Sequence, residues 1–95
     1  MNLDDVRMRW RADILRLADR HGARNVRVFG SVARGADTTH DLDLLVDFPP
    51  GRSLLDLIGL EQDLEEILGM GVDVVTEDAL SPYMRDDILE QAVPL

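Results

Sequence analysis

The stretch from Asp41 to Asp47 reads Asp-Leu-Asp-Leu-Leu-Val-Asp, and it constrains the fold more than any other segment. In an extended strand, successive side chains point to opposite faces. Leu42, Leu44 and Val46 therefore share a face suited to a core, while Asp41 and Asp43 share the other. Two carboxylates one strand repeat apart repel each other unless something cationic sits between them. Oxygen-rich sets of two or three carboxylates suit magnesium, especially where substrate phosphates complete its shell. The plainer alternative is a half-exposed strand whose outer face is merely acidic. Asp47 continues that face, and apolar Leu45 interrupts it.

The sequence around this strand predicts an α/β (α+β) layout: a small mixed β-sheet backed by helices. Leu3, Val6, Trp10, Ile14, Leu17 and His21 recur at spacings of three and four, which predicts an amphipathic helix from Leu3 to about Arg20, stopped by Gly22. Asn25 to Phe29 reads as a short strand that breaks at Gly30-Ser31 and Gly35. A second strand, Asp41 to Phe48, ends abruptly at Pro49-Pro50-Gly51. Ser53 to about Leu68 reads as a helix, with Ser53 as cap, Asp56 completing a capping-box-like start and Gly69 as stop. Gly59 lies inside that helix and weakens it by about 1 kcal/mol relative to alanine. Val72 to Val75 is a third strand. Ser81-Pro82 opens a last helix, whose apolar face is Ile88, Leu89, Ala92 and Val93. With helices on one side, the sheet's other face is left free for a site.

Length and composition narrow the chemistry. The 95 residues suit one small domain, 1–95, with one core. A domain of that size is marginal alone, so a partner surface or ligand helps it. There is no cysteine, which excludes disulfides, thiolate metal sites and a cysteine nucleophile. All ten basic residues are arginine, which excludes a lysine nucleophile or Schiff base. The net charge of −9 is unevenly spread: residues 1–27 hold seven arginines and four aspartates, and residues 28–95 hold three arginines and fifteen acids. So acidic a body repels a nucleic-acid backbone and attracts metal cations or a basic protein surface. No apolar run approaches the roughly 20 residues a membrane span needs, and Met1 to Trp10 lacks a signal-peptide apolar region. A cytoplasmic protein is expected.

Two further features join the carboxylate pair. In Val28-Phe29-Gly30-Ser31-Val32-Ala33-Arg34-Gly35, a strand ends at a glycine and a short helical turn is expected to begin at the serine. Glycine lets backbone approach a ligand closely. The Ser31 hydroxyl and N–H groups at a helix start suit a phosphate, and Arg34 offers a fork of donors. A plain strand-to-helix turn with Ser31 as N-cap remains the alternative. Asp73, in Val72-Asp73-Val74-Val75, is costly to bury unless paired or metal-bound. If its strand lies beside Asp41–Asp47, it joins Asp41 and Asp43 on one face; otherwise it faces water on an edge strand. A phosphate-binding turn, a carboxylate pair and a third carboxylate form the layout that two-metal phosphoryl or nucleotidyl transfer needs.

The run Gly30-Ser31, Ala33-Arg34-Gly35 and Asp41-Leu42-Asp43-Leu44-Leu45-Val46 resembles the signature of the DNA polymerase β-like nucleotidyltransferases, and more closely that of the minimal nucleotidyltransferases. The resemblance extends from about Val26 to Leu95. It implies the nucleotidyltransferase fold, two magnesium ions on Asp41, Asp43 and Asp73, and nucleotide phosphates on Gly30 and Ser31. It implies ATP as substrate and a role as antitoxin, transferring AMP to a tyrosine of a HEPN-type toxin with a basic surface. The second reading is a non-catalytic acidic antitoxin that neutralises the toxin by binding alone. Nine residues separate Ser31 from Asp41, one fewer than the family pattern usually has, and His40 stands where a serine is common.

Other conspicuous residues have plainer readings. His40 is expected to be an exposed loop histidine, and His21 to complement a helix end. Trp10 is expected in the core, and Tyr83, the only tyrosine, in helix packing. The seven early arginines read as a solvated helix face.

Overall fold

The computed structural model describes residues 1–37 and 41–95. His40, with Thr38 and Thr39, lies outside the described residues. The elements are α1 (Leu3–Asp5), a π-helical turn (Val6–Trp10), α2 (Arg11–Arg20), β1 (Arg24–Phe29), α3 (Gly30–Ala33), β2 (Asp41–Asp47), α4 (Leu54–Leu68), β3 (Gly71–Thr76), a 3-10 turn (Glu77–Ala79), α5 (Pro82–Gln91) and β4 (Val93–Pro94). The strands form one sheet in the order β3-β2-β1-β4. β2 runs antiparallel to β1 and parallel to β3, so the sheet is mixed. Among the described residues, no helix is long and apolar enough to cross a membrane.

Alternation in β2 sets the layers. Leu42, Leu44 and Val46 are fully buried and meet Val26 and Val28 of β1 and Val72 and Val74 of β3. Ile14, Leu17 and Ala18 of α2 and Leu60 and Leu64 of α4 close the core over that face. Trp10 packs at the margin of this core, with the Arg9 guanidinium 5.5 Å above its ring.

Local chemistry explains the helix ends. Asn2 caps α1 reciprocally: Asp5 N–H donates to Asn2 Oδ1 at 2.9 Å, and Asn2 N–H donates to Asp5 Oδ2 at 3.2 Å. At α4, Asp56 accepts from Ser53 N–H at 2.9 Å. That bond holds the Asp56 carboxyl below its ordinary range. Gly69 ends α4 with φ +70, a left-handed conformation that favours glycine. Gly59 has a tertiary reason: a Cβ there would lie 3.0 Å from Cε1 of His21. His21 caps the end of α2 through its backbone N–H, and its ring Nε2 sits 2.6 Å from Oδ2 of Asp63 in α4.

Four expectations change. First, Ala92 and Val93 are not part of a helix face. Residues preceding proline avoid the helical region; α5 ends at Gln91, and Val93 pairs with Val28 to add a fourth strand. Second, the seven early arginines are not all a solvated helix face: Arg24 and Arg27 lie in β1, and the Arg27 side chain is half-buried. Those of the first helix are exposed as expected, and two of them also bond the chain end: Arg7 donates to Pro94 O at 3.0 Å and Arg11 to Leu95 O at 2.8 Å. Third, Tyr83 is 94% exposed, because α5 packs through Ile88 and turns its first residues outward. Fourth, the face opposite the core is partly covered. Leu45 is fully buried there, beside Arg27 across β1, and Arg27 pairs with Asp47 at 3.0 Å and Glu77 at 3.1 Å.

β3 lies at the sheet's edge, where backbone donors ordinarily lack partners. Here α4 supplies them. Val74 N–H donates to Glu61 Oε2 at 2.8 Å, and Val72 N–H to Glu65 Oε2 at 3.4 Å. The two glutamates are one helical turn apart and so face the strand together. Replacing Glu61 with alanine leaves a half-buried N–H without its acceptor, so we expect a loss of about 1–3 kcal/mol in urea unfolding. Glu65→Ala, at the longer bond, loses less.

Candidate active site

The site forms where β1 ends. Phe29 pairs with Asp43 of β2, and Asp43 pairs with Asp73 of β3, so one row across the sheet carries the chain from the end of β1 to two carboxylates. Asp41 lies one repeat earlier on the same face of β2. The inferred neighbour of the Asp41–Asp47 strand is therefore present, and it brings Asp73 to Asp43.

Gly30 follows Phe29 with φ +74, a conformation L side chains rarely adopt. A second constraint acts on the same residue, because a Cβ on Gly30 would run into Oδ2 of Asp43. Glycine thus lets the turn close directly over the carboxylate. The helical turn starts at Gly30, one residue earlier than the serine, with Phe29 in the cap position. Ser31 is consequently inside α3, half-buried, rather than its N-cap. Arg34 ends α3, and its Nη1 donates to Oε1 of Gln91 at 3.0 Å.

Asp43 is half-buried, while Asp41 and Asp73 are exposed. Burial raises the Asp43 carboxyl above its ordinary value; the charges of Asp73 and Asp41 and a hydrogen bond with Asp73 raise it further, against the pull of Arg34. The row therefore attracts either a proton or a cation. Among the described residues, no three histidine, cysteine, aspartate or glutamate side chains are gathered closely enough to hold a metal by themselves. Magnesium does not require such a cage, because it binds through one or two carboxylates plus substrate phosphates and keeps several waters. Hard oxygen donors standing side by side fit that ion.

A cavity of about 610 Å³ among the described residues lies elsewhere. It lies at the far ends of β2 and β3, lined by Phe48, Pro50, Leu57, Thr76 and Ala79 among others, and includes none of the three carboxylates. Gln91 is the neighbour that sequence reasoning missed. It is 57 positions from Arg34, and no local pattern joins the two.

Two consequences can be measured. The raised Asp43 means the folded state binds its proton more tightly than the unfolded chain. Stability is therefore lost as pH rises from the ordinary carboxylate value through the raised one. Asp43→Asn should raise the melting temperature by a few degrees at neutral pH, and the gain should vanish below the ordinary carboxylate value. Gly30→Ala should cost about 1–2 kcal/mol for its left-handed backbone alone, read by urea unfolding, and should displace the Asp43 carboxylate.

Comparison with known proteins agrees with this geometry. Residues 14–95 match the nucleotidyltransferase domain family. A Methanocaldococcus jannaschii relative with a provisional protein adenylyltransferase name is 40% identical over 94 residues, covering 98% of this chain and 97% of its own. The protein adenylyltransferase MntA of Thermococcus cleftensis is 37% identical, covering 98% and 95%. A solved structure, provisionally described as a minimal nucleotidyltransferase, superposes with a TM-score of 0.84 at 52% identity, covering 100% of this chain and 97% of that one. A chain of a toxin–antitoxin crystal structure with AMP-PNP shares the fold, with a TM-score of 0.73 at 21% identity over 87% of this chain and 69% of that one. The sheet order, the glycine turn and the matched family agree: this chain belongs to the nucleotidyltransferase domain family, among its minimal members.

Proposed function

We propose that this protein is a magnesium-dependent protein adenylyltransferase acting in the cytoplasm as the antitoxin of a toxin–antitoxin pair. It transfers AMP from ATP to a hydroxyl, a tyrosine, of a HEPN-type toxin. The observation that carries this reading is the row of Asp43 and Asp73 in register, closed over by a glycine turn with no room for a side chain. The names of the relatives support the activity, and the toxin–antitoxin structure with AMP-PNP supports the nucleotide and the kind of partner. A net charge of −9 favours a basic partner surface.

The roles follow from position. Gly30 and Ser31 bring backbone and hydroxyl to the phosphates, and Arg34 adds donors from the end of the same turn. Asp41, Asp43 and Asp73 are the ligand set for two magnesium ions, which supply charge stabilisation on the reacting phosphate when bound. The acceptor oxygen attacks the α-phosphorus, the bond to the bridging oxygen breaks, and pyrophosphate leaves. Asp73, exposed at the end of the row, takes part in removing the acceptor's proton. Asp41 and Asp73 are exposed, which lets the acceptor arrive on the partner.

Intact-mass measurement of a co-expressed toxin decides the matter. We expect an AMP adduct with the wild-type chain, and a loss on the order of 100-fold or more in its rate of formation when Asp41 and Asp43 are both asparagine. An unchanged toxin mass with wild-type protein and Mg-ATP overturns the reading. Full neutralisation by the double variant instead favours protection by contact alone.

A further inference from the structure

We propose that Gln91 is a positioning residue: it holds the Arg34 guanidinium off the carboxylate row and keeps it presented to nucleotide phosphates. This rests on the nucleotide-binding reading above.

The problem that Gln91 solves is electrostatic. A guanidinium matches carboxylate geometry well and pairs with carboxylates wherever it can reach them. Arg34 is near enough for its charge to act on Asp43. Yet among the described residues it forms no ion pair with Asp41, Asp43 or Asp73. Its Nη1 donates instead to the neutral Oε1 of Gln91 at 3.0 Å. Were Arg34 to fold onto the row, it would neutralise the donors that a cation needs and withdraw its own donors from a phosphate. A neutral acceptor restrains the side chain without cancelling its charge.

The acceptor is also fixed in space by the same strand that carries the arginine. Gln91 is the last residue of α5, half-buried, and Ala92 N–H closes that helix on Ile88 O at 2.9 Å. Two residues after Gln91 the chain pairs with β1 through Val93 and Val28. Arg34 sits at the end of α3, which follows β1 directly. Both partners are thus referred to β1, from its edge neighbour on one side and its C-terminal turn on the other. Arg7 and Arg11 hold the β4 end in place.

The test is a double-mutant cycle read by calorimetric binding of AMP-PNP with magnesium. Gln91→Met keeps the length of the side chain and removes the acceptor. We expect it to weaken binding roughly five- to tenfold, with an unchanged melting temperature in the absence of ligand. We expect Arg34→Met to weaken binding at least as much, and the double variant to be no worse than Arg34→Met alone, because Gln91 acts only through Arg34. In turnover, the Gln91→Met defect should fall on KM for the nucleotide rather than on kcat. Wild-type affinity in Gln91→Met overturns the proposal, and so do additive losses in the double variant. Failure of the wild-type chain to bind AMP-PNP with magnesium overturns the nucleotide-binding reading itself, and this inference with it.

Discussion

Everything in this molecule depends on the two-sidedness of β2. Its apolar residues, Leu42, Leu44 and Val46, anchor α2 and α4 on one face, and each is fully buried. That anchoring leaves Asp41 and Asp43 no choice of face, because a one-residue slip in register would put carboxylates into the core. Core and site are therefore one design read from opposite sides. β1 and β3 add to it in register: β1 delivers the glycine turn onto Asp43, and β3 delivers Asp73 beside it.

The site works against the stability that the core supplies. Like charges crowd together on a half-buried strand, and a glycine is held at φ +74 above them. A small domain has little stability to spare. Opposing effects appear elsewhere: Arg27 joins β1, β2 and the turn after β3 through Asp47 and Glu77, and Arg7 and Arg11 tie the first helix to the last strand. This is the pattern expected of a functional site, with local conflict offset by consistency around it.

The sequence was most legible where one physical rule acted alone. Alternation located β2 and its two faces, and turn chemistry located Ser53, Gly69 and Ser81-Pro82 as helix ends. The β3 neighbour of β2 was inferred as a condition, and the structure meets it. What remained hidden was set by distant partners. Val93 looked like a helix residue until Pro94 and the pairing with Val28 gave it another role. Gly59 looked like a weakness in α4 until the His21 ring explained its missing side chain. Leu45 seemed an interruption in an acidic face, yet it is a second buried point on that face, outside the main core. Tyr83 carried no signal of its exposure, since a tyrosine suits either a core or a surface.

The glutamates of α4 also bear on how this protein can be recognised. Many small domains gain a partner by lengthening a sheet, so that main-chain groups of the newcomer zip onto an open strand. Here one margin is already occupied by Glu61 and Glu65, and the other ends in a two-residue strand whose Pro94 has no N–H to offer. Among the described residues, backbone zippering is hindered at both margins. That favours recognition through the shape and charge of side chains, which ties it to particular residues rather than to strand geometry shared by countless folds.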